Sequence, residues 1–209
     1  MNLANKLTML RIFLTVVLIG ILLFPFEAVG INLPELAIVG IRAELKYFVG
    51  AIIFAVASFT DFLDGYIARK YNMVTDFGKM VDAIADKMLV NSTLVILAAQ
   101  RQIPALIVVI ILLRDNIVNT IKMIAGSKGK VIAAINSGKL KTTFLMIGII
   151  ATLCLNLPFE IWGLNVSDGI LILATFFSIY SGVEYFIKNK SIVFDIEEPK
   201  KDTKEAKAK

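Results

Sequence analysis

Between two long apolar runs, residues 61–87 read DFLDGYIARKYNMVTDFGKMVDAIADK and carry Asp61, Asp64, Asp76, Asp82 and Asp86. On a helix, Asp61, Asp64, Gly65 and Ala68 fall at i, i+3, i+4 and i+7 and so share one stripe. Gly78, Asp82 and Asp86 step by four and make a second stripe. The stretch KYNMVTDF between them is polar enough to be a turn joining two antiparallel helices. Such a helical hairpin aims two carboxylates from each helix into one pocket, and its small residues let another helix or a flat ligand come close. Four carboxylates in a low-dielectric pocket cannot all stay ionised without counter-charge. They take up protons, pair with cations such as Arg69, Lys79 and Lys87, or bind metal. With oxygen as the sole donor, the set suits hard divalent ions, Mg²⁺ or Mn²⁺. Those ions point to phosphate or pyrophosphate chemistry, where two ions roughly 3.5–4 Å apart clamp attacking and leaving oxygens. Carboxylates inside or beside a bilayer are functional by default, whereas Asp76, in the turn, reads as solvated rim.

The composition places this chemistry in a membrane. The chain has 209 residues, 57% hydrophobic and 19% charged, against about 45–50% and about 25% in soluble domains. It contains no histidine, which excludes imidazole base catalysis, histidine metal sites and Ser-His-Asp triads. Cys154, the single cysteine, excludes an internal disulfide framework and reads as a small buried or lipid-facing residue. A second polar group follows the acidic one. Arg114 and Asp115 interrupt an apolar run, Lys122 lies about two turns on, and NSGKLKTT supplies Lys139, Lys141, Thr142 and Thr143. Cations converging on an acidic pocket suggest a phosphorylated ligand, because a neutral one would not require them. For Lys128, Lys130, Lys139 and Lys141 the competing reading is anchoring on the positive inner side of a membrane. Nothing points to a nucleic-acid partner.

Six stretches are long and apolar enough to span roughly 30 Å of hydrocarbon: about 7–24, 47–69, 79–99, 103–123, 141–157 and 167–187. Residues 25–46, with two prolines and two glycines, read as an external loop or short surface helix. With both termini in the cytoplasm, Arg42, Lys46 and Arg101 fall outside and the other nineteen of the 22 Lys and Arg residues fall at or near the inner side, as positive-inside bias requires. The expected fold is therefore all-α: an integral membrane bundle of six transmembrane helices, both termini cytoplasmic, formed by residues 1–190. Residues 191–209 read as a charged, disordered cytoplasmic tail. No internal repeat supports an inverted-repeat transporter.

The sequence Asp61-Phe-Leu-Asp64-Gly65-Tyr-Ile-Ala68-Arg69, then Gly78, Asp82 and Asp86 at fixed intervals, resembles the CDP-alcohol phosphotransferase signature D-x2-D-G-x2-A-R-x8-G-x3-D-x3-D at every specified position. The resemblance extends to length and span number and covers about residues 2–187. It implies that an alcohol attacks the lipid-side phosphorus of a CDP-linked lipid and CMP leaves. It further implies that Asp61, Asp64 and Asp82 hold two divalent ions, with Asp86 near a metal and serving as general base. By the same resemblance Gly65 and Ala68 make room for cytidine, and Arg69, Thr75 and Gly78 belong to the nucleotide and phosphate region. The opening NKLTMLR, with Asn5, Thr8 and Arg11, resembles the family's N-x-L-T-x-x-R, which lies near nucleotide and diphosphate. Its bland reading is a polar helix start.

Arg114-Asp115 followed by Gly-Lys139-x-Lys141-Thr resembles the branch whose substrates are CDP-diacylglycerol and sn-glycerol 3-phosphate, with Arg114, Lys122, Lys139 and Lys141 on the acceptor phosphate. Lys122 stands where that branch more often shows arginine, and so lacks the planar fork. The family is often homodimeric, and the chain fits a bacterial plasma membrane with the site on the cytoplasmic side. Two alternatives stay open. One is the same fold with another acceptor, such as inositol phosphate or serine. The other is a divalent-cation transporter, which would need polar residues along a route to the outer side.

Overall fold

The structure, a computed structural model, describes residues 3–31, 33–38, 41–71, 75–130, 132–133 and 135–194. Six long helices account for most of them: α1 (Leu3–Leu23), α2 (Leu45–Lys70), α3 (Asp76–Ala99), α4 (Ala105–Ser127), α5 (Asn136–Leu153) and α6 (Val166–Val193). Each overlies one of the six expected apolar stretches. Three of them, over Asn5–Leu23, Leu45–Ile67 and Val166–Ile192, are long and apolar enough to cross a membrane by length and composition. Helices α3, α4 and α5 carry Asp82 and Asp86, Arg114 and Lys122, and Lys139 and Lys141; these charges lower their apolar content.

The segment 25–46 differs from the loop or surface helix expected of it. A 3-10 turn at Glu27–Val29 is followed by β1 (Glu35–Ile38) and β2 (Ile41–Glu44), paired antiparallel with Glu35 opposite Glu44 and Ile38 opposite Ile41. Pro25 and Pro34 deny helical hydrogen bonds at both ends of the loop, leaving the backbone to pair across strands. Residues 195–209, most of the expected tail, lie outside the described residues.

Helix α1 packs on α2 and α3, and α6 packs on α4 and α5; contacts of α2 with α5 and α3 with α4 join the two halves. The apolar core occupies one end of the bundle. Leu18, Leu22, Phe54, Leu94, Leu97, Ile111, Leu145, Ile149, Leu153 and Leu171 are fully or almost fully buried there. In a lipid environment helices gain little from excluding water, so close backbone approach must supply the packing. Gly148 allows it between α5 and α6, because a Cβ there would meet Leu171 Cδ2 at 2.7 Å. Three buried threonine hydroxyls are satisfied within their own helices: Thr15 donates to the Arg11 carbonyl at 2.8 Å, Thr93 to Leu89 at 2.7 Å and Thr175 to Leu171 at 2.8 Å. The turn from α5 to α6 is fixed by Asn156, whose amide donates to Glu160 Oε2 (2.9 Å) and the Leu164 carbonyl (2.6 Å) while accepting from Ser167 N (3.0 Å).

Most polar, cavity-lining residues fall toward the start of α1, α3 and α5 and toward the middle or end of α2, α4 and α6. That alternation is the signature of consecutive antiparallel helices. It brings polar segments far apart in sequence to the end of the bundle opposite the apolar core.

Candidate active site

At that end all six helices line one cavity of about 820 Å³. One wall is acidic. Asp61, Asp64 and Asp82 each place a carboxylate oxygen within 4.8 Å of the others, across the α2–α3 helical hairpin that the spacing predicts. At their centre is Arg11 of α1, which is fully buried. Its Nη1 contacts Asp61 Oδ1 at 2.7 Å and Asp82 Oδ1 at 2.9 Å, while Nη2 donates to Asp64 Oδ2. Thr8, one turn earlier, donates to the same Asp64 oxygen at 3.1 Å. The guanidinium's planar fork suits this three-way bridge better than a lysine would.

This refines the expectation for Arg11. It belongs to the same site as Asn5 and Thr8, but those two line the cavity whereas Arg11 stands behind the carboxylates. Asn5 donates to Thr75 Oγ1 at 3.4 Å, and Thr75 caps α3 by accepting from Gly78 N at 3.0 Å, so one of the helix's free N–H groups is satisfied. Gly78 lets α1 approach: a Cβ there would lie 2.6 Å from Asn5 Oδ1 and 3.0 Å from Thr75 Oγ1. Gly65 lines the cavity. The side chains of Ala68, Arg69, Asp76 and Lys79 lie outside the described residues.

Asp86, one turn beyond Asp82, is not part of the 4.8 Å cluster. It lines the cavity that both walls share and interacts electrostatically with Asp61, Asp82 and Arg11 and with Lys141.

The opposite wall is basic. Arg114, Lys122, Lys139 and Lys141 all line the cavity. Lys141 is nearly buried and donates to both oxygens of Asp115, at 2.9 and 2.8 Å; Arg114 Nη1 donates to Asp115 Oδ1 at 2.9 Å. The Arg114–Asp115 pair, which breaks an apolar run in the sequence, is thus a cation with its counter-ion. Helix α6 supplies residues that sequence reasoning missed. Ser181 accepts from Arg114 Nη2 at 2.7 Å, and Tyr185 lies beneath both Arg114 Cζ (5.7 Å to the ring centroid) and Lys122 Nζ (5.5 Å). The only trace of them was SIYSGVEY, a polar break in the last apolar run.

Three clustered carboxylates fit a divalent cation: the donors are all oxygen, they converge, and two remain partly exposed, Asp61 at 34% and Asp82 at 50% of the side chain. Arg11 offsets one of the four negative charges, leaving an excess for added cations. Acid on one side, cations on the other and the Asp86 carboxylate in the same cavity can hold a diphosphate and present a phosphorylated nucleophile to it.

Comparison with known proteins agrees with this geometry. A relative from Bacillus subtilis (strain 168), named CDP-diacylglycerol--glycerol-3-phosphate 3-phosphatidyltransferase, is 40% identical over 188 residues, 90% of this chain and 95% of its own. A protein of the same name from Rickettsia typhi (strain Wilmington) is 35% identical over 88% of this chain and 95% of its own. A probable phosphatidylglycerophosphate synthase from Mycobacterium tuberculosis is 33% identical over 88% of this chain and 79% of its own. The family model described as CDP-alcohol phosphatidyltransferase matches residues 1–180, which take in the acidic hairpin and the basic wall alike, and the chain belongs to that family.

Proposed function

We propose that this chain transfers the phosphatidyl group of CDP-diacylglycerol to sn-glycerol 3-phosphate, giving phosphatidylglycerophosphate and CMP. The observation that carries the reading is the single cavity with Asp61, Asp64, Asp82 and Asp86 on one wall and Arg114, Lys122, Lys139 and Lys141 on the other. The names of relatives aligned over nearly the whole chain support it. A serine acceptor carries no phosphate and would leave the basic wall without a partner.

Asp61, Asp64 and Asp82, with Asp86 beside them, would hold two Mg²⁺ or Mn²⁺ ions. When bound, such ions neutralise the diphosphate and the departing CMP. Asp86 takes the proton from the acceptor hydroxyl. The freed oxygen bonds to the lipid-side phosphorus, the bond from that phosphorus to the bridging oxygen breaks, and CMP leaves with the electron pair. Asn5, Thr8, Gly65, Ala68, Arg69, Thr75 and Gly78 form the nucleotide and diphosphate side, and Arg11 acts there by holding the aspartates in place. Arg114, Lys122, Lys139 and Lys141 hold the acceptor phosphate, so its hydroxyl approaches Asp86 from the basic side.

All six helices span the plasma membrane, with both termini and the cavity at the cytoplasmic face. Outward-facing Leu106, Val109, Leu113 and Ile117 on α4 are exposed and follow helical spacing, as a lipid-facing stripe does. The acyl chains of CDP-diacylglycerol then stay in the bilayer while head groups react at its edge. Purified protein supplied with CDP-diacylglycerol, Mg²⁺ and labelled glycerol 3-phosphate, serine or inositol phosphate tests the choice of acceptor. Phosphatidylglycerophosphate is the product expected; CMP release with serine alone would reassign it.

A further inference from the structure

Among the described residues, helix α6 contributes no charged side chain to the cavity wall, yet Ser181, Gly182, Glu184 and Tyr185 tie it to the basic wall and to α5. Ser181 accepts from Arg114 Nη2 at 2.7 Å. Gly182 faces the Arg114 stem so closely that a Cβ would lie 2.9 Å from Arg114 Cγ. Glu184 accepts from Ser137, in the first turn of α5, at 2.6 Å. Tyr185 is 3% exposed; its hydroxyl donates to the Ala133 carbonyl at 3.2 Å and accepts from Ile135 N at 3.3 Å, just ahead of α5.

The Tyr185 ring also lies within 6 Å of both Arg114 and Lys122. An aromatic face attracts cations through its quadrupole, most strongly where water is excluded. A neutral ring can therefore hold two like charges near one another without neutralising either. Asp115, by contrast, orients Arg114 and Lys141 at the expense of one of their charges. An acceptor phosphate needs cations that are fixed yet still charged, and α6 supplies that.

We infer that Tyr185, with Gly182 and Ser181, forms a positioning plate on α6 that sets the affinity for the phosphorylated acceptor, by fixing Arg114 and Lys122 and by tying Ala133 and Ile135, just ahead of α5, to α6. Neither Tyr185 nor Gly182 reacts; each acts through the cations. The inference rests on the proposed use of a phosphorylated acceptor, and its test separates the two. Wild type, Tyr185→Leu, Tyr185→Phe and Gly182→Ala are compared as purified full-length protein. Calorimetric titration with inorganic phosphate reads the cation set whichever acceptor is used, and turnover with glycerol 3-phosphate reads the reaction.

Tyr185→Leu is expected to weaken phosphate binding and raise KM for glycerol 3-phosphate by about tenfold, with KM for CDP-diacylglycerol and kcat at saturating acceptor unchanged. Gly182→Ala, which leaves the ring intact but displaces the Arg114 stem, is expected to do the same. Tyr185→Phe keeps the ring beneath both cations and is expected to shift the acceptor KM by less than about threefold. Should Tyr185→Leu fail to fold, Gly182→Ala carries the test. Equal losses for both substrates, or unchanged phosphate affinity in Gly182→Ala, would overturn the inference. Wild type that binds phosphate but does not turn over glycerol 3-phosphate would instead overturn the choice of acceptor while the plate still stands or falls by the titration.

Discussion

The two walls of the cavity solve the same electrostatic problem with opposite signs. The acidic wall gathers Asp61, Asp64 and Asp82 around one arginine, Arg11, with Asp86 one turn beyond; the basic wall pairs Arg114 and Lys141 with one aspartate, Asp115, and Lys122 and Lys139 line the same cavity. In each, charges of one sign outnumber those of the other and leave an excess for ligands to neutralise. The walls differ in how the counter-ion is placed. Arg11 is fully buried behind its partners, so the aspartates keep their open sides toward the cavity. Asp115 lies among the cations and itself lines the cavity, with help from an aromatic ring on α6. Under the proposed function, the wall for small, hard ions is thereby fixed tightly, whereas the wall for a whole phosphorylated molecule is braced from several helices.

Removing a counter-ion is the most damaging way to break this comparison. Arg11→Ala leaves three clustered carboxylates without their shared cation. Loss of one partner of a buried ion pair costs about 3–5 kcal/mol, so a marked drop in thermal midpoint in detergent is expected, with added Mg²⁺ restoring part of it. Arg11→Lys keeps the charge without the three-way fork and should fall between wild type and alanine. No loss of stability in Arg11→Ala would show that the aspartates do not depend on it.

A change confined to the basic wall should leave the acidic wall alone. Lys141→Met removes two charge-assisted hydrogen bonds to Asp115. At about 1.5–3 kcal/mol for such bonds, KM for the acceptor should rise by roughly 10- to 100-fold. Binding of Mn²⁺, followed by its paramagnetic signal, should not change. A joint loss of metal binding would mean that the walls are not separable.

The smallest effect concerns spacing. Gly78→Ala puts a methyl group 2.6 Å from Asn5 Oδ1, and the strain of such overpacking is typically about 1–3 kcal/mol. A modest fall in thermal midpoint and weaker CDP-diacylglycerol binding are expected, with acceptor KM preserved. Measured steady-state constants for both substrates check this directly.

The acidic hairpin was legible in the sequence because its residues lie within one short segment and helical spacing alone puts Asp61 with Asp64, and Asp82 with Asp86. The six helices were legible from apolar runs of spanning length. Arg11 was legible as a site residue only through resemblance; its place behind the aspartates depends on how α1 packs against α2 and α3, which no periodicity encodes. Asp115 stood out as a charge in an apolar run, but its partner Lys141 is on another helix. Ser181, Gly182 and Tyr185 were hidden because small and aromatic residues in a spanning helix look like ordinary helix packing. The strands β1 and β2 were missed because a loop with two prolines and two glycines reads equally well as irregular structure.

In the proposed reaction Asp86 takes the proton of an acceptor whose phosphate the basic wall holds while the aspartates hold divalent ions. The most direct test measures CMP release from CDP-diacylglycerol and glycerol 3-phosphate, with and without Mg²⁺, for wild type and Asp86→Asn. The account predicts Mg²⁺-dependent release by wild type. For Asp86→Asn it predicts a fall in kcat of about 10²–10⁴-fold, with CDP-diacylglycerol binding largely retained. Wild-type turnover without divalent ions, or full activity in Asp86→Asn, would contradict it.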